Sequence, residues 1–463
     1  MTRIFLPLVI AAMASGCAGP SIPDVQPASG IALPSEYYAD TRPPAGLDDV
    51  WWRGFEDEQL DALVEKALKR NQSLEASRQR LLAAKAIIRA EQSDLLPSVD
   101  GQFSADGALD DGGNTFSGSR AGLFGSWTID FNGRLSAETA RALANADGAA
   151  YFLADQRRLI AAAVTSQHIE LKRSGARLEL LDQSTDLQQQ TLRIVNLRFE
   201  AGLSSNLDVR RAAADVARTR AQRGPLQLAR ARAANALSVL VGDPPSAVPP
   251  TGNSVSIPDY REGPAIGIPA DLLRRRPDLL LAEADVAAAA ANVGIERADL
   301  LPAFALSGGL LLGDGSVEGL FARALASLAT ALDIPVFDGG RRKAEVDAAK
   351  ADLQAEVADY RQSLLETLAE VESAIAAIAS ARERKEELEK AVAESEAAFN
   401  QSNALYREGL ASLFDVLDVQ RQLISSREAL IDGEADLSQS YVQLYSAVGS
   451  DVPPRAEPQE AEL

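Results

Sequence analysis

Tyr406–Asp418 reads YREGLASLFDVLD, and Arg198–Arg211 reads RFEAGLSSNLDVRR. Both contain Gly-Leu-x-Ser-x-x-Asp-Val, with Gly202 and Gly409 set 207 positions apart. Other landmarks recur in the same order. DLLP stands at Asp94–Pro97 and Asp299–Pro302, 205 apart, while FNG at Phe131–Gly133 answers FDG at Phe337–Gly339, 206 apart. Val241-Gly242 and Val448-Gly449 close the series at 207. Chance likeness between Ala-rich helical segments would not keep four landmarks in order at nearly constant spacing, so the chain reads as two homologous halves.

Within each half the pattern runs helix, hairpin, long helix, tip, returning helix. Helical signals begin near Trp51, and from Asp57 to Glu91 residues Leu60, Leu63, Val64, Ala67 and Leu68 share a face as far as the stop at DLLP. Then Val99, Gly101, Phe103 and Ala105, and later Trp127, Ile129 and Phe131, alternate as strands do around the turn DGALDDGGN. Phe304 and Leu306, then Leu332, Ile334 and Val336, repeat this around GDGSVEG, giving four strands in all. After FDG, Lys343–Glu408 holds 66 residues without Gly or Pro. As helix that stretch spans about 100 Å. Val357, Leu364, Val371, Ile378, Val392 and Phe399, flanked by Leu353, Tyr360, Ala374, Ala381 and Leu388, keep a seven-residue repeat suited to coiled-coil-like packing. The matching segment Arg134–Phe199 is expected to be interrupted at Gly148 and Gly175, and its return at Pro225.

The quoted phrase falls where each long helix ends. Gly202 and Gly409 are suited to helix C-caps, and Ser204, Ser205 or Ser412 can start the next helix. Asp415 and Asp418, three apart, lie on one helical face. Threefold symmetry would gather six carboxylates at a narrow opening, attracting cations; the alternative is a solvated helix start favoured by the dipole. Arg274-Arg275-Arg276 could form an anion site, but with Pro277 and Asp278 following it reads as a helix-start motif with internal ion pairs.

Residues 1–16 carry Arg3, an apolar run and small residues, the pattern of an export signal. Cys17 is the only cysteine and follows directly, which rules out an intramolecular disulfide. The Pro-rich stretch after it reads as an extended tether. No later run is apolar and long enough for a spanning helix, so any membrane crossing is by strands. The net charge of −20 argues against nucleic acid as a partner. One histidine, His168, and no nucleophile–base pair, phosphate loop or metal-spaced set argue against an enzyme, a cofactor or a metal site. The expected division is 1–16 signal, 17–56 anchor and tether, 57–242 first repeat, 243–269 linker, 270–449 second repeat and 450–463 tail. Hairpins are expected at about 97–133 and 302–339, tips at about 200–206 and 407–413. Four strands cannot close a barrel alone, and hydrocarbon tolerates no open edge, so the chain is expected to oligomerise.

The ASGC site, the DLLP strand entries, the paired GLxSxxDV tips and LLRRRPDL at Leu272–Leu279 resemble the TolC-like outer-membrane efflux factors, in the lipoprotein (NodT-type) branch serving resistance-nodulation-division (RND) transporters. The resemblance covers essentially the whole mature chain. It implies a membrane α+β fold: a homotrimeric 12-stranded β-barrel, four strands per chain, continued by a long α-helical barrel in the periplasm. It also implies lipidation at Cys17, palmitate included, although a chance cysteine after an ordinary signal is the alternative. By resemblance Gly202, Leu203, Ser204, Gly409, Leu410 and Ser412 are tips where a periplasmic membrane-fusion adaptor docks, beneath which an inner-membrane RND transporter works. Asp415, Asp418 and Tyr406 match the gate, and Ala411 stands where some relatives carry Arg. The implied role is export of small molecules. A type I protein-secretion duct, or a structural periplasmic coiled-coil lipoprotein, is the alternative.

Overall fold

A computed structural model describes residues 21–35, 37–38, 50–109, 115–245, 256–260, 269–312 and 324–449. The signal segment, Cys17, the tail from 450, the loop 110–114 and the GDGSVEG turn lie outside the described residues.

Four strands, β1 (Ser98–Leu109), β2 (Thr115–Ile129), β3 (Ala303–Leu312) and β4 (Ala324–Asp333), form one antiparallel sheet in the order β1-β2-β3-β4. The central pairing joins the two halves, with Leu123 opposite Leu310 and Trp127 opposite Leu306. Because side chains alternate along a strand, this register sorts the faces. Val99, Phe103, Leu123, Trp127, Ile129, Leu306, Leu310, Leu328 and Leu332 share one face, with Thr330 among them; Asp100, Gln102, Ser104, Arg120, Ser126, Thr128, Ser307, Ser327 and Asp333 share the other, with Phe124 and Leu311 among them. Val99, Phe103 and Leu328 are largely exposed, so the apolar face has no protein cover in the single chain. An apolar outer and polar inner face is the pattern of a membrane barrel wall. β4 ends at Asp333 rather than continuing in the alternating pattern, and Ile334, Val336 and Phe337 follow it as exposed non-strand residues.

The helices α1 (Glu58–Arg70), α2 (Gln72–Ser93), α3 (Arg134–Glu200), α4 (Asn206–Ala221), α5 (Arg223–Leu240), α6 (Leu272–Arg275), α7 (Pro277–Ala298), α8 (Arg341–Glu408) and α9 (Leu413–Val448) make up the rest of the described body. Next to the sheet they pack in the order α2-α3-α7-α8, the order of the strands they adjoin. Nearer the tips α4 and α5 pack on α3, α3 on α9, and α9 on α8. α8 has 68 residues, about 100 Å of helix. Its seam residues Val357, Leu364, Val371, Ile378 and Phe399 are buried, whereas Val392 is half-buried.

Several expectations need correction. The first helical stretch is two helices, because Asn71 leaves helical geometry and caps α2, its Oδ1 accepting from Ser73 and Leu74 at 2.9 and 3.2 Å. Gly148 and Gly175 interrupt nothing: both are buried within α3. A Cβ at Gly148 would stand 3.3 Å from Leu281, so the glycine serves close helix packing. The return breaks at Gln222, and Pro225 sits in the first turn of α5, where its missing N–H is harmless. The tether, where described, is docked rather than loose. Arg297 donates to the Ser21 carbonyl at 3.3 Å, Arg361 to those of Pro27 and Ser29, and Tyr37 is buried.

Around the middle of the helices lies a girdle of the segment Trp51–Phe55, α1, and Ile257–Tyr260 from the inter-repeat linker. Trp51 stacks on Tyr445 at 5.5 Å and Tyr260 on Tyr441 at 4.7 Å, while the Tyr260 hydroxyl donates to that of Tyr445. The two halves build this level alike. Asn71 Nδ2 donates to the Leu240 carbonyl at 2.8 Å; Arg276 Nη1, before α7, donates to that of Ala447 at 2.8 Å. The paired Val-Gly motif follows from close approach. A Cβ on Gly242 would lie 2.4 Å from the Arg70 carbonyl oxygen, and one on Gly449 2.3 Å from that of Arg275.

Candidate functional site

Each residue of the repeated phrase has a local task. Gly202 and Gly409 adopt φ of 74° and 80°, which L side chains rarely tolerate. Gly202 N–H then reaches the Phe199 carbonyl and Leu203 N–H that of Arg198, as Gly409 reaches Tyr406 and Leu410 reaches Leu405. These are paired Schellman closures. Ser205 and Ser412 cap the returning helices. Each hydroxyl accepts from the amide of Asp208 or Asp415, whose carboxylate accepts from the serine amide in return. Ser204 is no cap, but its hydroxyl donates to Asp208 at 3.1 Å.

Turn geometry accounts for the Gly, Ser and Asp, but not for the leucine. Leu203 is 69% and Leu410 72% exposed, and one turn on Leu207 and Phe414 are also exposed. Both tips thus present an uncovered apolar pair on a rigid capped turn.

The three positions expected at the gate all lie at the second tip. Asp415 and Asp418 are both exposed on α9. The Asp415 carboxylate is engaged by its own cap, and hydrogen bonds from the Ser412 hydroxyl and amide hold it below the usual carboxylate range. Asp418 lies 3.6 Å from Arg421, which offsets part of its charge. Tyr406 lies at the second tip, on the last turn of α8. It is 5% exposed in a cluster with Val195, Phe399, Leu413, Val416 and Leu417, and burial pushes its phenol up in pKa. Ala411 packs against the same cluster.

Arg198 is the residue that sequence reasoning missed. Its guanidinium sits 4.8 Å over the Tyr406 ring and donates to the Tyr406 carbonyl at 3.0 Å, tying the first hairpin to the second. The signal was present in the repeat itself: position 198 corresponds to Leu405, so an Arg stands where its own partner half has an apolar residue.

The RRRPD residues lie far from the tips in sequence and at the girdle in space. Arg276 caps α7 with Pro277 as its first residue. Its guanidinium, 3% exposed, bonds both Asp278 oxygens at 2.8 and 2.6 Å and Glu370 at 2.9 Å. Burial alone would raise Asp278, but Arg276 holds it below the ordinary range. Arg274 is exposed, and Arg275 gives its carbonyl to the close approach of Gly449. Beside this cluster a cleft of about 1020 Å³ is lined by Arg158, Arg276, Glu366, Glu370 and Ser446. Among the described residues no group of acidic, His or Cys side chains is arranged to hold a metal, and no helix is long and apolar enough to cross a membrane.

Comparison with known proteins places this architecture. The chain is 30% identical over 438 residues to a nodulation protein T of Rhizobium leguminosarum bv. viciae, covering 93% of the chain and 90% of the relative. It is 29% identical over 436 residues to the pyoverdine export outer membrane protein OpmQ of Pseudomonas aeruginosa, covering 91% and 92%. Among solved structures, the outer-membrane channel OprN superposes with a TM-score of 0.84 at 29% identity, over 92% of this chain and 98% of that one. CusC gives 0.81 at 27%, over 92% and 99%. The family model described as outer membrane efflux protein matches twice, at residues 63–243 and 268–450, once over each half. The chain therefore belongs to the outer membrane efflux protein family, a family of efflux ducts, with the TolC-like fold of a strand-built membrane segment continued by long helices.

Proposed function

We propose that this chain forms the outer-membrane duct of a tripartite RND-type efflux system, as a homotrimer lipid-anchored at Cys17. One observation carries the reading: a four-stranded sheet, mainly apolar on one face and mainly polar on the other, has edges at β1 and β4 that no strand of the same chain pairs, and runs on into helices about 100 Å long. Three copies joined β4 to β1 supply twelve strands and leave no edge in hydrocarbon. A purely helical scaffold has no use for such a sheet. Anchoring at Cys17 is supported by Ser21, which Arg297 holds beside the end of α7, the helix that leads into β3. Four residues span about 14 Å at most, short enough to keep Cys17 near the membrane surface.

The exposed pairs Leu203 with Leu207 and Leu410 with Phe414 are the docking points for the adaptor, six per trimer. Apolar contact in a capped, preorganised turn loses little entropy on binding. Selection of cargo lies with the inner-membrane pump. The names of relatives span pyoverdine, solvent, toluene and cation efflux on one architecture.

In planar bilayers the wild type is expected to give small currents blocked by a trivalent cation from the helical side. Asp415→Ala with Asp418→Ala should reduce that block by about tenfold or more, since six carboxylates leave the trimer mouth. Wide conductance unchanged by the pair would remove the acidic gate and leave the duct. Arg198→Ala is expected to raise mean conductance about two- to fivefold, by removing a link between hairpins worth about 1–2 kcal/mol. Equal currents in variant and wild type would show that the link does not restrain opening.

A further inference from the structure

The helical half of the molecule ends in two surfaces of opposite charge. Near the tips the helices form a row in which α4 and α5 stand at one end, followed by α3, then α9, with α8 at the other end. α4 and α5 together hold seven arginines against two aspartates, in a chain whose net charge is −20. α8 holds fifteen acidic residues against ten basic ones. Arg210, Arg220 and Arg232 are exposed on the first surface; Glu383, Glu386 and Glu394 are exposed on the second, directed away from the seam residues Leu388, Val392 and Phe399. None of these six has an ion-pair partner within the chain among the described residues, although neighbours such as Arg218 with Asp215 and Glu396 with Arg427 are paired.

Building on the trimeric reading above, we propose that the basic α4–α5 face of one copy seats on the acidic α8 face of the next, forming a charge-matched seam between protomers. The occupant is a second copy of this chain because the row's two ends are mutually complementary, so one interface repeated head to tail closes a ring. It is also continuous with the β1 and β4 edges, which need the same neighbours. The heights agree. Counting 11 residues up from Asn206 and 11 back from Glu408 brings Ala217 level with Ala397, about 16 Å from the tips. Both are exposed, and small enough for the helices to approach closely. Arg220 and Glu394 fall level by the same count, 14 residues from each end. Exposed pairs give little stability individually, so the seam contributes register and specificity, with salt-sensitive strength.

The test combines oxidative cross-linking with mass measurement by light scattering on the full-length protein in detergent. Ala217→Cys with Ala397→Cys is expected to yield disulfide-linked dimers and trimers, absent in the wild type and in either single variant. Adding Arg210→Glu and Arg220→Glu should lower the cross-linked fraction about fivefold. Glu386→Arg with Glu394→Arg should restore it. A wild type of trimer mass whose double-cysteine variant fails to cross-link would overturn the seam while leaving the duct. A wild type of monomer mass would overturn the trimeric reading together with the seam. Cross-linking unaffected by charge reversal would overturn the charge matching.

Discussion

Arg276→Met is expected to destabilise the protein by about 2–3 kcal/mol, less than for a fully buried ion pair because Arg276 is buried while Asp278 is half-buried and Glu370 exposed. The loss has three sources in the structure. Asp278 keeps two carboxylate oxygens and loses the two guanidinium bonds at 2.8 and 2.6 Å. Glu370 loses a partner at 2.9 Å, and the Ala447 carbonyl at the end of α9 loses its donor. That carbonyl is one of the helix-end acceptors no intrahelical amide can satisfy. Thermal and denaturant unfolding followed by circular dichroism in detergent will measure the change. Adding Asp278→Asn and Glu370→Gln should recover a substantial part of it, because the stranded charges are then gone. If Arg276→Met alone melts with the wild type, the motif has no part in holding the girdle. The first half uses a neutral Asn71 at the equivalent place, so Asn71→Ala is the smaller-effect control, about 1 kcal/mol as for a lost cap.

A comparably large effect is expected at Asp57. Its Oδ1 caps α1, accepting from Gln59 and Leu60, while Oδ2 lies 2.8 Å from His168 Nε2 and 3.6 Å from Lys172. His168 is fully buried and Lys172 is 5% exposed. Burial by itself would push the Asp57 carboxyl up. The hydrogen bond and attraction of His168, the Leu60 amide and Lys172 outweigh it and hold the group far below its ordinary value. A depressed folded pKa means stability that is complete above the unfolded value, about 3.9, and is lost as pH falls below it. Asp57→Asn retains the cap but not the charge, and should cost about 3–5 kcal/mol at neutral pH. The gap between wild type and variant should narrow steadily from about pH 4 downward. A gap independent of pH would mean that the carboxylate charge contributes nothing to holding α1 against α3.

The pattern of seven along α8 was legible because its apolar spacing exceeds what any globular helix requires, and Leu364, Val371 and Ile378 are buried as that spacing implies. The four strands were legible from Gly-rich alternation, which no long helix tolerates. Their boundaries were not: Ile334 and Val336 continue the alternation of β4 yet leave the ladder, since periodicity records no hydrogen bonding. Asn71 was unreadable as a break because the apolar face of α1 gave no sign of the bond to Leu240, 169 positions away. The docked tether was unreadable for a similar reason. Its prolines indicate an extended chain, but only the groove beside α7 and α8 decides that the chain lies down in it.

At the tips the division is clearest. The sequence by itself determined the turn: Gly, Ser and Asp at fixed offsets encode a Schellman closure and a capping box from local geometry alone, twice. It also determined that the chain has two halves, and strands that need neighbours. Only the tertiary structure decided what the tip side chains do. Tyr406 turns inward because an apolar cluster between hairpins is there to receive it, and Arg198 reaches it across 208 positions of sequence. Leu203 and Leu410 stay uncovered. Local codes fix backbone shape through contacts a few residues apart; burial and pairing depend on what the rest of the chain brings alongside, which no local pattern contains.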